Sequence, residues 1–322
     1  MEALKSVTRW LGVVATVGMF AVLVMGATVT NTGSAHGCGR SWPLCRGQLI
    51  PQFAVSTAIE FSHRAVVGVE TMLILALAAG ALYLYRGRRE IRILAPIMVL
   101  FLFVQAGLGA WAVMYPQLAA VLALHFGVSL IAFASVLLTT VFLFEVRGAE
   151  ALRDRPVPLA FRRLVWVLTL YSYLVVYSGA YVRHANADDA CRGWPLCNGT
   201  PLPDFHGLVY AAFGHRIAAA VLTVGVAVLF VSAWQRRTQR PDLAFASAGA
   251  LVLVLGQVLA GAAVVWTGLD LFAALAHAAL IGLLFGALTY LCVHVLPREA
   301  PVAESEPIRR LRPEVGAVGP SR

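Results

Sequence analysis

Charge is what this chain has least of. Asp, Glu, Lys and Arg together make up 13% of its 322 residues, and hydrophobic residues make up 60%. A soluble domain carries about 25% charged and about 45–50% apolar residues, so a soluble globular protein is excluded. Lysine is nearly absent: Lys5 stands alone among 25 basic residues, the rest being arginine. Alternating apolar and polar strands are missing as well, which excludes an outer-membrane β-barrel. No basic run is interleaved with aromatics, so the formal charge of +9 does not signal a nucleic-acid partner. What remains is a lipid bilayer as the surrounding medium.

A membrane-spanning helix needs about 20 mostly apolar residues. Eight segments qualify, near 10–30, 57–85, 93–114, 118–145, 162–182, 207–234, 243–266 and 271–296. The fold class expected is an all-α polytopic membrane protein. The second, fourth and sixth spans are long enough to tilt or to project beyond the hydrocarbon. The first is too long for a signal-peptide core and is expected to stay as an anchor. Residues 297–322, rich in Pro, Glu and Arg without apolar period, are expected to be a disordered cytoplasmic tail. Basic residues set the orientation. With a cytoplasmic N-terminus, 19 Lys and Arg fall on the inner side and four on the outer side: Arg40, Arg46, Arg183 and Arg192. Both termini are then cytoplasmic, and the long loops near 31–56 and 183–206 face outward.

Those two loops hold four of the five cysteines. The outer side of a bacterial inner membrane is oxidising, so disulfides are permitted there. Zinc sites favour two to four residues between paired cysteines. Six separate Cys38 from Cys45 and five separate Cys191 from Cys197, which suits a local disulfide in each loop, as a staple or as a redox-active pair. Cys292 reads as a small buried hydrophobe.

The chain repeats itself. A shift of 152 residues lays Arg40-Ser-Trp-Pro-Leu-Cys45 on Arg192-Gly-Trp-Pro-Leu-Cys197, Gly47 on Gly199, His63-Arg64 on His215-Arg216, Gln105 on Gln257, Gly109 on Gly261 and His125 on His277. This reads as a tandem duplication of a four-helix bundle. An even number of helices per copy gives both copies one orientation, a parallel repeat. Residues 1–150 form the N-terminal half and 151–296 the C-terminal half. Intramembrane histidines are functional candidates by default. The four lie about six or seven residues into helices that run inward, about 10 Å below the outer surface. Each half thus offers two imidazoles at one depth, a donor set for one haem iron held from both faces. Zinc or copper would want three or four ligands. Gly68, Gly107, Gly109, Gly127, Gly261 and Gly282 are small residues suited to a porphyrin slot, or to ordinary helix packing.

The halves differ at one place. Glu60 precedes His63 by three residues, and the matched residue is Ala212. At that spacing the carboxylate shares a helix face with the ligand. It can act as a base or steady a developing cation, or be a plain charge at a helix N-terminus. The first half therefore reads as reactive and the second as electron-storing. Arg64 and Arg216 follow a ligand directly and can pair with haem propionates, a loop carboxylate or a lipid headgroup. His36, His184, His206 and His294 read as surface residues. Tyr171, Tyr173, Tyr177 and Tyr181 form a helical stripe expected to pack. Trp111 and Trp266 suit an aromatic belt.

Eight helices, the four-helix repeat, Glu-x-x-His-Arg and the paired Trp-Pro-Leu-Cys loops resemble the haem A synthase family over residues 8–296. That family oxidises the C8 methyl group of haem O to a formyl group by successive hydroxylations, for cytochrome c oxidase biogenesis. The resemblance implies that His63 and His125 bind the substrate haem O, with Glu60 as the essential carboxylate. It implies haem B on His215 and His277. It makes Cys38–Cys45 the pair tied to activity and Cys191–Cys197 the structural pair. Haem O synthase and cytochrome c oxidase assembly factors are the partners it implies. An electron donor or acceptor is implied too, and homo-oligomerisation stays open. A di-haem b-type cytochrome taking electrons from quinol would explain the histidines but not Glu60. A transporter would want broken helices and a midplane polar site.

Overall fold

The computed structural model describes residues 1–52, 54–145, 152–204 and 206–296. Eight long helices carry the fold: α1 Glu2–Asn31, α2 Val55–Tyr85, α3 Arg89–Met114, α4 Ala119–Phe144, α5 Leu159–His184, α6 Val209–Trp234, α7 Pro241–Trp266 and α8 Leu271–His294. Each is long and apolar enough to cross a membrane. Among the described residues there is no strand, only two isolated bridges in the loops, Cys45 with Gln48 and Cys197 with Thr200. The expected tail and the boundary at 150/151 lie outside the described residues.

Local chemistry sets several helix ends. Pro241 opens α7 with no amide to leave unpaired. The Asp270 carboxylate caps α8 by accepting the Ala273 N–H at 3.1 Å. Pro96 sits inside α3 without ending it, as membrane helices tolerate. Helix ends differ from the expectation in places. α1 starts at Glu2 and α5 at Leu159, because a helix runs on through its polar ends beyond the apolar core. Of the spans expected to be longest, α2 has 31 residues, while α4 and α6 have 26 each. Gly207, at φ +53°, delays the start of α6.

α1 to α4 pack in a ring in which α1 meets α2 and α4, and α3 meets α2 and α4; α5 to α8 repeat those pairings. The two sets meet where α4 packs on α5 and α8, and α8 packs on α1. α4 is the most buried span. Elsewhere the outward faces are apolar: Ile217, Val221, Val224, Val228 and Val231 form an exposed stripe along α6. An apolar face on the outside and small or hydroxylated residues between helices are what lipid demands. Gly12 lies against Thr140, and Thr16 and Thr140 share a hydrogen bond of 3.0 Å across α1 and α4. Cys292, buried as expected, donates its S–H to Thr169 at 3.1 Å across α8 and α5.

At the arginine-rich end a polar cluster joins the two sets. Arg153 pairs with Glu90 at 2.7 Å. Arg240 bonds both oxygens of Asp242 and donates to the His294 carbonyl at 2.7 Å. His294 is 3% exposed, which corrects the expectation of a surface residue. Its ring stacks on Tyr290 at 3.7 Å, lies parallel to Phe142 at 5.7 Å and stands 3.6 Å from Glu145. Phe142 and Glu145, at the end of α4, help to bury it, which no local pattern around residue 294 announces.

Candidate functional site

The four histidines stand at the end of the bundle that carries the cysteine loops. His63 lies eight residues into α2, and His125, His215 and His277 lie six residues into α4, α6 and α8. That is a depth of about 9–12 Å along each helix. His63 is within electrostatic reach of His125, and His215 of His277. Among the described residues no group of three or more His, Cys, Asp or Glu side chains is placed to hold a metal. Two intramembrane imidazoles at one depth in each set are a donor number that suits a bis-histidine haem better than zinc or copper.

Each imidazole rests against a glycine of the preceding helix. A Cβ at Gly26 of α1 would stand 3.5 Å from His63 Cε1, and one at Gly109 of α3 would stand 3.3 Å from His125 Cε1. In the other set the fit is closer. A Cβ at Gly179 would stand 2.7 Å from His215 Cε1, and one at Gly261 would stand 3.0 Å from His277 Cε1. The glycines leave the rings the space they occupy.

Hydrogen bonds assign the tautomers in the second half. The Ser178 hydroxyl donates to the Val175 carbonyl at 2.8 Å, so its oxygen accepts from His215 Nδ1–H at 3.0 Å. His277 Nδ1–H donates to the Gln257 carbonyl at 3.2 Å. A carbonyl only accepts, so both rings keep the proton on Nδ1 and the lone pair on Nε2. That is the form a metal-binding imidazole takes, with its other nitrogen held by an acceptor. The Gln257 amide donates to His277 Nε2 at 3.1 Å, occupying the lone pair an iron would take. In the first half His63 Nδ1 is buried without a hydrogen-bond partner, while His125 faces the Gln105 backbone as His277 faces that of Gln257. The donor chemistry and the glycine cradles fit a haem in each half.

The loops above are built alike. Cys38 is bonded to Cys45, and Cys191 to Cys197. Gly47 and Gly199 turn the chain just beyond them at φ +76° and +79°, where a side chain is strained. Arg64 donates to the Ser41 carbonyl at 2.7 Å, and Arg216 to the Leu196 and Cys191 carbonyls at 2.9 and 2.6 Å. Both guanidinia thus clasp the loops by backbone oxygens, partners the sequence does not show.

Glu60 is 3% exposed, so it is not a solvated charge at a helix end. Its Oε2 accepts the Cys38 N–H at 2.7 Å, and its Oε1 pairs with Arg64. Ala212 takes its place in the other set, also buried, and there Arg216 holds the loop by two carbonyls without a carboxylate beside it. Glu60 therefore couples the first disulfide loop to the helix turn that carries His63.

Of the six glycines expected to line a slot, only Gly109 and Gly261 touch an imidazole. Gly127 packs on Tyr173, Gly282 packs near Phe20, Leu23 and Leu130, and Gly68 and Gly107 have open space where a side chain would be. Gly26 and Gly179 were not legible as cradle residues. The loop between the cysteines is one residue shorter in the second half, so Gly26 and Gly179 align only at a shift of 153. Tyr177 and Tyr181, expected to pack, line an open recess of ≈420 Å³ with Ala120, Ser178, Tyr210 and His215. His36 and His206 are exposed and His184 is half-buried.

The family model described as "Cytochrome oxidase assembly protein" matches residues 51–289. A protein of Geobacillus kaustophilus named "Heme A synthase" is 42% identical over 300 residues, covering 92% of this chain and 95% of the relative. A protein of Shouchella clausii with that name is 42% identical over 295 residues, covering 90% and 97%. One of Staphylococcus haemolyticus, also so named, is 40% identical over 295 residues, covering 89% and 95%.

Proposed function

The chain belongs to the cytochrome oxidase assembly protein family matched over residues 51–289, and on that premise we propose that it is a multi-pass membrane enzyme that makes haem A from haem O. The observation that carries the reading is the placing of four imidazoles, two per half, each against a glycine, with a buried carboxylate beside only one pair. The two halves, 1–150 and 151–296, are read as tandem copies in a parallel repeat. The first takes the substrate haem O between His63 and His125. The second keeps a haem B between His215 and His277. The reaction is oxidation of the C8 methyl group to a formyl group. The membrane is the bacterial inner membrane, with both termini cytoplasmic and the cysteine loops outside.

A haem held by His215 and His277 would supply one-electron transfer. The protein's own residues do the rest. Ser178 and the Gln257 carbonyl hold His215 and His277 in the Nδ1–H tautomer, and the Gln257 amide must release His277 Nε2 for a ligand. In the first half His63 is not so held, which suits a ligand that must let its substrate enter and its product leave. Glu60 brings negative charge to the mouth of that half and can take a proton or steady positive charge developing on the substrate. Arg64 holds that charge in place, and the Cys38–Cys45 loop lies over it. Haem O synthase and oxidase assembly factors are the partners this activity calls for, with an electron donor or acceptor. A b-type cytochrome oxidising quinol leaves Glu60 without a task.

Replacing Glu60 tests the assignment in cells that make haem O, with extracted haems separated by chromatography. Glu60→Ala is expected to abolish haem A while haem B stays bound, since Ala212 occupies the matched place beside a haem. Glu60→Gln can still accept the Cys38 N–H but carries no charge, so it is expected to keep haem O bound and stop turnover. Normal haem A from Glu60→Ala would overturn the role given to the carboxylate and with it the division of labour between the halves.

A further inference from the structure

Deeper along the α1–α2 seam the first half holds a second carboxyl. Glu70 is 3% exposed, and its Oε1 has no hydrogen-bond partner. It follows His63 by seven residues, two turns along the same face of α2 and about 10 Å further from the cysteine loops. Facing it on α1 is Gly18, where a Cβ would fall on the Glu70 carboxyl oxygen. Eight residues on, Gly26 faces His63. Imidazole and carboxyl therefore stand in line against two glycines of one helix.

The second half has neither the acid nor its glycine. Gly179 faces His215 as Gly26 faces His63. Eight residues before Gly179 stands Tyr171, and seven residues after His215 stands Leu222. Leu222 is buried, and the Tyr171 hydroxyl donates to the Ala218 carbonyl at 3.2 Å. The same seam is filled by aromatic and aliphatic bulk in one half. In the other it holds a glycine and an unpaired acid. An acid buried in the membrane interior marks a function by default, and an orphaned buried oxygen marks an absent partner.

The two haems differ in chemistry where this asymmetry can act. Haem B carries a vinyl group at the position where haem O carries a hydroxylated carbon and a farnesyl tail. We infer that Glu70, given room by Gly18, accepts a hydrogen bond from that hydroxyl and selects haem O for the first half, while Tyr171 and Leu222 close the matching space in the second. The inference rests on the proposed function, and it makes Glu70 a specificity-determining residue rather than a participant in the oxidation.

The test titrates purified full-length protein, with its second-half haem in place, with haem O and separately with haem B. First-half occupancy is followed by absorbance. Wild type takes haem O in preference to haem B. Glu70→Leu, which copies Leu222, lowers that preference about tenfold or more, the loss expected when a hydrogen bond to a substrate hydroxyl goes unmade. Glu70→Gln keeps an accepting oxygen and most of the preference, and second-half haem content is unchanged in both variants. An infrared difference measurement on wild type serves if Glu70→Leu does not fold. Haem O, and not haem B, shifts the carboxyl band that Glu70→Gln removes. An undiminished preference in a folded Glu70→Leu, or a band indifferent to haem O, overturns the inference and leaves the proposed function standing. A wild-type protein without preference for haem O overturns the inference alone, and one that takes up no haem O overturns both.

Discussion

Adding one methyl group at Gly179 is expected to lower haem occupancy of the second-half site while leaving the helices folded. The Cβ would stand 2.7 Å from His215 Cε1 and 3.0 Å from Nε2, where ordinary contact begins near 3.4 Å. The ring must therefore retreat by about 0.7 Å. A free imidazole can do so by a turn about its side-chain bonds, at a cost of about 0.5–1.5 kcal/mol. A ring bonded to iron cannot move without straining that bond, and overpacking of a fixed group costs about 1–3 kcal/mol. That corresponds to a loss of haem affinity of about 5- to 150-fold. The assay is the haem-to-protein absorbance ratio of the purified variant, beside its thermal unfolding. The distances order the series. For second-half haem, Gly179→Ala at 2.7 Å is expected to lose more than Gly261→Ala at 3.0 Å. For first-half haem, Gly109→Ala at 3.3 Å is expected to lose more than Gly26→Ala at 3.5 Å, which is ordinary contact. Full haem content in Gly179→Ala, or equal loss across all four variants, would refute the assignment of these rings as ligands.

Two further outcomes are expected. His215→Ala and His277→Ala each lose haem B while the chain still inserts in the membrane, read by absorbance and by membrane fractionation; full retention of bis-histidine haem absorbance in both would contradict the ligand pair. Arg240→Ala removes a cation 2% exposed that holds Asp242 and the His294 carbonyl, and its loss is expected to destabilise the protein by about 3 kcal/mol, read as a lower Tm with the haem spectrum of the remaining folded protein unchanged.

The helices were legible because an apolar run of some 20 residues has few other uses. The four histidines were legible because a spacing of 62 residues occurs twice, from His63 to His125 and from His215 to His277. What escaped was set by contacts between helices. Gly26 and Gly179 matter through the rings they face, and a one-residue difference in the cysteine loops hides their correspondence. Glu70 reads as one charge in a long span until Gly18 is seen across from it. Arg64 and Arg216 were expected to meet haem propionates, a loop carboxylate or a lipid headgroup, and Arg64 does pair with a carboxylate, that of Glu60 on its own helix. They bind loop carbonyls, and backbone acceptors leave no mark in a sequence. His294 lies at a helix end near charged residues, which locally predicts solvent, and Phe142 and Glu145 from the other half enclose it.

The central claim is that one half holds a resident haem and the other a haem being converted. Extraction and chromatography of the haems carried by the purified wild-type protein tests it most directly. Haem B together with haem O or haem A is expected, with His277→Ala losing the haem B and Glu60→Ala holding no haem A. Haem B alone in the wild-type protein would make it an electron-transfer cytochrome, and no haem at all would contradict the account entirely.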